Sequence, residues 1–356
     1  MAVPSVNFGP LLQATRERWQ ALVAQFFARQ QFILGEQVRA FETEFAAAMG
    51  ARFAVGVGNG TDAIQLSMMA SGIKGEVLTT AMTAPFTGIG ILSAGCSIRF
   101  ADVDPDTLQI DPADAGNRLR KKTSAVVPVH LYGQPCDIKA VRKLGLPVVQ
   151  DACQAHGAAV FATHSPTVAY SFYPTKNLGC LGDGGAVVTN SAGMAAKLRE
   201  LRDGGRRGGQ VTYVRGINSR LDELHACYLR AFLEKLTAWN EDRRRIAALY
   251  DEGLRGVDGV RVVKRTVESV CHLLVIRAKK RDKLRAFLKT KGIGSGIHYP
   301  VPMHLHPTYK ECGQKRGDLP VAEKASREIL SLPIYPYLSA NAVDEVVERV
   351  REFYGA

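Results

Sequence analysis

Short apolar runs alternate with stretches of helical period along most of the chain. ARFAVGVGNG (51–60), GEVLTTA (75–81), CSIRFADVD (96–104), SAVVPVHLYG (124–133), LPVVQDA (146–152), TVAYSF (167–172) and AVVT (186–189) read as strands. Leu11 to Met49 is helical, with Leu22, Phe26 and Phe27, then Val38, Phe41 and Phe45, on either side of a break at Gly35. Thr61 to Ser71 repeats the pattern with Ile64, Leu66, Met68 and Met69, and Thr61 and Asp62 suit its first turn. Pro112 to Lys121 and Asp137 to Leu144 are further helical or turn segments. Such alternation predicts an α/β fold, a largely parallel sheet covered by helices on both faces. Ligands of these sheets sit beyond the carboxyl ends of the strands.

From Ser219 to about Leu254 the period is helical throughout (Leu221, Leu224, Leu229, Phe232, Leu233, Leu236, Trp239), predicting one long helix between two units. Two short strands (VRVVK, HLLVIRA), a helix from Asp282 to Lys291, a loop rich in proline and histidine, and a last helix after Ser339 follow. At 356 residues the chain exceeds what one core usually serves. We expect a large domain over residues 1–240, with the N-terminal helical segment, and a smaller α+β domain over 241–356.

Composition narrows the class. Hydrophobic residues at 46% are ordinary for a globule, and no apolar run reaches the length of a membrane span. The start, MAVPSVNFGPLL, has no secretory pattern, so the cytoplasm is expected. Seven scattered cysteines without a C-x-x-C pair suggest reduced thiols. A net charge of +12 suits an anionic partner. The basic residues are spread and no aromatic-interleaved stripe occurs, which argues against nucleic acid. His298, His304 and His306 sit in IHYPVPMHLHPTY, but an irregular loop without a nearby acid or thiol argues against a metal site.

Candidate chemistry centres on SFYPTKNLG, Ser171 to Gly179, where Pro174 stops a strand and Lys176 falls in a glycine-rich turn. Upstream, Asp151 ends a strand with Gln154 and His156 just beyond, and Gly56-x-Gly58-x-Gly60 feeds a helix. Each has a plain alternative: a surface lysine, a turn-capping aspartate, a simple strand-to-helix turn. Together they are what a pyridoxal phosphate site requires. An amine condenses with the aldehyde, a carboxylate keeps the pyridine nitrogen protonated, and a helix N-terminus holds the phosphate.

NGTDAIQL, FADVDPDTLQID, VPVHLYGQPCDI, VVQDACQAHGA, SFYPTKNLGCLGDGGAVVT, INSRLDELHACYL, GIHYPVPMHLHPTY and LSLPIYP occur in this order from about residue 30 to the end. In them the chain resembles the DegT-type sugar aminotransferases, pyridoxal-phosphate enzymes of fold type I. The resemblance implies a mixed, mostly parallel sheet in a three-layer large domain and a small α+β domain. It implies transfer of an amino group from an amino acid, L-glutamate by preference, to a nucleoside-diphosphate-linked keto-sugar, with carbon 3 of a deoxyhexose the favoured position. Other keto-acceptors such as a cyclitol, or a non-catalytic cofactor-binding regulator, are the alternatives.

By the same resemblance Lys176 binds the cofactor and moves the proton, where a related branch with histidine performs dehydration. Asp151 would pair with the ring nitrogen and Gln154 reach the ring's 3-oxygen. Gly60, Thr61 and Ser171 would hold the phosphate, and Phe86 stack on the ring. Asn218 would reach the cofactor phosphate of a neighbouring subunit in a homodimer; it and Ser219 also suit an N-cap for a helix beginning at Arg220. His298, Tyr299 and His304 would face the sugar. His130 and Tyr132 belong near the cofactor or in the core. Two departures bear on specificity: VFATHSP (160–166) replaces a glycine-rich hairpin, and GGRRGG (204–209) reads as a flexible basic loop.

Overall fold

The computed structural model describes residues 2–159 and 165–355. Ten strands are β1 Phe53–Val57, β2 Glu76–Thr80, β3 Ser97–Ala101, β4 Thr123–Val127, β5 Val149–Asp151, β6 Thr167–Ser171, β7 Gly185–Thr189, β8 Val260–Val262, β9 Leu274–Ala278 and β10 Ile329–Leu332. The helices of the first half are α1 Gly9–Arg29, α2 Glu36–Ala48, α3 Gly60–Ala70, α4 Pro85–Ser93, α5 Pro112–Asn117 and α6 Ile138–Arg142. Those of the second are α7 Ala192–Arg202, α8 Glu223–Leu233, α9 Leu236–Gly253, α10 Arg281–Thr290, α11 Pro320–Glu328 and α12 Ala340–Tyr354.

β1, β7, β6 and β5 form one ladder and β3, β2 and β4 another. Parallel bridges Val126–Val148 and Val129–Asp151 join them, giving the order β1-β7-β6-β5-β4-β2-β3. Only β7 runs against its neighbours. The sheet is therefore mixed and mostly parallel, the α/β arrangement of fold type I.

Both faces are buried, which is why these strands read as continuous apolar runs. Val168 and Tyr170 of β6 point into a core shared with α2, α8 and the start of α9, while Ala169 between them faces the core under α3. Phe41, Phe45, Tyr170 and Phe172 pack with ring centroids 5.2–5.4 Å apart. Each such side chain contributes about 1.5–3 kcal/mol over exposure.

The long helix expected from Ser219 is two helices. Helix α8 begins at Glu223 after Asp222, and the chain breaks at Glu234 and Lys235 before α9. Ser219 is no N-cap: its hydroxyl accepts from the Gly58 amide (2.9 Å) and donates to Asp62 (2.6 Å), tying this segment to the start of α3. An uninterrupted apolar period cannot reveal such a tie.

Helix α9 spans two cores. Leu236 and Trp239 belong with the large sheet, and Ile246, Ala247 and Tyr250 with the core of β8, β9, β10, α10 and α12. The strands of that second sheet lie in the order β10-β9-β8, all antiparallel. Val3, beside Ile293, packs into the same core, so the first residues join the last third of the chain.

The basic loop after α7 is tied down. Arg206 pairs with Asp203 (2.6 Å), Arg207 with Glu200 (2.9 Å), and the Arg207 guanidinium lies over Tyr213. The departure at VFATHSP falls on residues 160–164, outside the described residues, and on Ser165 and Pro166 beside them.

Candidate active site

Segments distant in sequence converge beyond the ends of β5 and β6, where a cavity of ≈ 1220 Å³ opens. Gly60, Thr61, Phe86, Asp151, Gln154, Ser171, Lys176, His298 and Tyr299 line it. Asn218 and His304 do not.

Lys176 stands in the turn after β6. Its amide donates to Tyr173 O (2.9 Å), and Cys180 N returns to Phe172 O (2.8 Å). Gly179 passes so close that a Cβ there would meet Pro174 O at 2.3 Å, so this turn requires glycine. Burial pushes the Lys176 amine down from its ordinary value, and nearby Cys153 and Asp151 draw it back up. His156 donates from Nε2 to Ser171 O (2.8 Å) and is pushed down to about 3, first by burial and then by Lys176.

Asp151 is 3% exposed at the end of β5. Its carboxylate accepts from Thr87 Oγ1 (2.8 Å) and Cys153 N (3.0 Å), and Thr83 supports Thr87 in turn (2.8 Å). Gln154 accepts from Tyr132 N (2.7 Å) and donates to the Tyr299 hydroxyl (3.2 Å). Tyr132 has φ 60, a left-handed backbone unusual for tyrosine, and its hydroxyl donates to His298 O. The loop over residues 130–134 thus carries Gln154 on one side and the His298 segment on the other. His130 belongs to the core, accepting from Cys136 N and donating to Gln150 Oε1.

At the start of α3, Asn59 caps Asp62 N (2.8 Å) and its carbonyl takes Ala63 N (3.1 Å). The amides of Gly60 and Thr61, at the cavity wall, are orphans of the helix start. A Cβ on Gly60 would meet Ser171 Cβ at 2.6 Å and Cys153 Sγ at 3.0 Å, so only glycine brings these amides beside the Ser171 hydroxyl. Phe86, in the first turn of α4, is 61% exposed with its ring at the cavity.

His298 bonds Ser331 Oγ (2.8 Å) and is pushed down to about 4, by burial and then by Lys176. His304 corrects the expected sugar contact: it is 2% exposed and bonded to Glu323 (3.1 Å), packed inside the protein away from the cavity. His306 bonds Val301 O (3.2 Å) at the surface, so the three histidines do not gather. Asn218 is exposed and paired through its backbone with Asp203. Tyr132, expected near the cofactor or in the core, holds Gln154. Thr87, Arg243, His272 and Ser331 were given no role in the site; Thr87 adjoins Phe86, His272 opens HLLVIRA and Ser331 lies in LSLPIYP, stretches already singled out.

The cavity suits pyridoxal phosphate on its own terms. It offers free helix-start amides for a dianion, a buried carboxylate with two neutral donors and room for a protonated ring nitrogen, and an amine held at reduced basicity. Fold and site together define a pyridoxal-phosphate-dependent aminotransferase of fold type I. Residues 13–351 match the model of the DegT/DnrJ/EryC1/StrS aminotransferase family, and the chain belongs to that family.

The chain is 40% identical to the pleiotropic regulatory protein of Geobacillus stearothermophilus, over 99% of both chains. It is 39% identical to the dTDP-3-amino-3,4,6-trideoxy-alpha-D-glucose transaminase of Streptomyces venezuelae, covering 99% of this chain and 96% of that one. The solved structure of S. venezuelae DesV in complex with a ketimine intermediate matches with TM-score 0.96 at 38% identity, covering 100% of this chain and 99% of that one. Among the described residues no helix is long and apolar enough to cross a membrane.

Proposed function

We propose that this aminotransferase moves an amino group from L-glutamate to the 3-keto group of a deoxyhexose carried on a nucleoside diphosphate. The observation that carries the reading is the convergence of Lys176, Asp151 and the start of α3 on one cavity. The likeness to the Streptomyces venezuelae dTDP-3-amino-3,4,6-trideoxy-alpha-D-glucose transaminase supports carbon 3 and a deoxy-sugar.

Pyridoxal phosphate supplies an aldehyde that carries nitrogen between the two substrates and a ring that accepts the electron pair released at carbon. Gly60 and Thr61 bind its phosphate through backbone amides, and Ser171 through its hydroxyl. Asp151, oriented by Thr87 and Cys153 N, keeps a proton on the ring nitrogen. Gln154, held by Tyr132, would meet the ring's 3-oxygen, and Phe86, at the cavity wall, would pack on the ring. Lys176, its proton affinity lowered by burial, would take the proton from the amino-bearing carbon of the donor and hold it beside that carbon. His298 and Tyr299 form the wall on the sugar side.

The chain works as a homodimer in this proposal. Phe27, Phe32, Val211 and Tyr213 are 57–61% exposed, large apolar side chains that a partner subunit would cover. Asn218, exposed on the same segment as Val211 and Tyr213, reaches across to the partner's cofactor phosphate. All seven cysteines are free, which suits the reducing cytoplasm.

Titration of the holoenzyme with L-glutamate tests the donor: its visible cofactor band disappears, and a nucleotide-linked 3-keto-sugar restores it. Restoration by a free cyclitol ketone and by no sugar nucleotide would replace the acceptor. Mixing Asn218→Ala with Lys176→Ala subunits tests the shared site, because one intact site per mixed dimer regains activity only if Asn218 acts across the interface.

A further inference from the structure

One buried cation in the cavity wall is unused by the arrangement above. Arg243, on α9, lines the cavity and is 6% exposed. Its Nη1 donates to Ile334 O (3.0 Å) and His272 O (3.4 Å), and its Nε has no hydrogen-bond partner. Among the described residues no acid pairs with it, and neighbouring Asp242 pairs instead with Arg245 (2.7 Å). Burial draws Arg243 down to about 10, so it is still charged at neutral pH.

Asp242 acts on Arg243 only at a distance, without a contact, and the groups that do surround it are neutral. Asn177 gives its amide protons to Asn240 Oδ1 (2.8 Å) and Val270 O (2.9 Å), so His272 Nδ1 must be the donor in the 3.0 Å bond to Asn177 Oδ1. Burial, then Lys176 and Arg243, keep His272 neutral. A guanidinium out of water with two carbonyls and no counter-ion is costly, and an anion arriving with a substrate removes that cost.

The reaction brings two kinds of anion. A diphosphate carries more charge than one sunken guanidinium neutralises, and it is tethered to a nucleoside that needs the cavity mouth. A carboxylate is small enough to reach the wall and matches the planar donor edge of arginine. We propose that Arg243 is the receptor for a carboxylate of the amino-acid donor. This rests on the reading that the donor is an amino acid.

The test separates the half-reactions in the holoenzyme, with circular dichroism and the cofactor spectrum confirming the fold of each variant. Arg243→Gln raises the glutamate KM about 100-fold, read from loss of the visible band, and affects the amino-sugar half-reaction far less. Arg243→Lys, which keeps charge without the fork, falls between. In the unaltered enzyme, either glutamine or isoglutamine, each lacking one carboxylate, weakens by about 100-fold, and that discrimination disappears in Arg243→Gln. If both amides bind the unaltered enzyme as well as glutamate does, or if the variant keeps the glutamate KM, Arg243 serves only to tie α9 to its neighbouring loops and the proposal is overturned. If no L-amino acid bleaches the unaltered enzyme, the donor reading itself fails, a result distinct from either of these.

Discussion

The two ends of the cavity are built differently. At the cofactor end, Gly60, Thr61, Asp151, Ser171 and Lys176 stand at the ends of elements of one sheet, each within a few residues of a turn that its own neighbours dictate. At the substrate end, His298, Ser331, His272 and Arg243 come from four separated segments, and their side chains are set by one another and by Tyr132 and Asn177. Chemistry common to a class can be written in local motifs, whereas substrate choice depends on contacts between segments that share no sequence signal.

The sharpest way to break this contrast is at Lys176. Replacing it with methionine lowers turnover by at least about 10⁴-fold, because both the covalent anchor and the proton carrier are lost; steady-state assay with glutamate and a keto-sugar nucleotide measures it. Asp151→Asn comes next. An amide is no counter-ion for a protonated ring nitrogen, so kcat falls about 10³-fold with the fold intact, and the cofactor spectrum shifts. Gly60→Ala tests the geometry of the cofactor end. The methyl meets Ser171 Cβ at 2.6 Å, and overpacking costs about 1–3 kcal/mol, seen in denaturant unfolding and in weaker cofactor retention.

At the other end effects are smaller. His298→Ala removes one bond to Ser331 and part of the sugar-side wall, raising the keto-sugar KM about tenfold while the glutamate half-reaction changes little. An equal loss in both half-reactions would show that the two ends are not separable.

Acid acts on the fold, not on either half-reaction. The folded protein holds His156 near 3 and His298 near 4, below the unfolded value of 6.5. Between those values the unfolded chain binds protons that the native one does not, so stability present at neutral pH is lost as pH falls below about 6.5. Each histidine contributes at most about 1.4 kcal/mol per pH unit, and His156→Gln flattens the slope of unfolding free energy against pH by that much or less.

Much of the large sheet could be read directly, since strands buried on both faces are mostly apolar, with the exceptions such as Thr79 and Gln150 hydrogen-bonded inside, and the helices between them are amphipathic. The start of α3 and the turns at Asp151 and Lys176 were legible for a similar reason: glycine, proline and a strand-ending acid act on their own backbone. Reading failed where partners lie far apart in the chain. The break between α8 and α9 sits inside an unbroken apolar pattern, and Ser219 serves Gly58 and Asp62 across the fold. His304 has the same local look as His298, yet Glu323 of α11 takes it into the interior.

The sequence alone determined the α/β class and marked the turns at Asp151, Lys176 and the start of α3, because these follow from hydrophobic period and turn chemistry acting over a few residues; the family and the roles of the other site residues came from its resemblance, carried by motifs in a fixed order. Only the tertiary structure decided which histidine faces the cavity, which tautomer His272 holds and that Arg243 is buried without a counter-ion. Those are properties of desolvated charges and hydrogen bonds, and they come into being only when distant segments close around them.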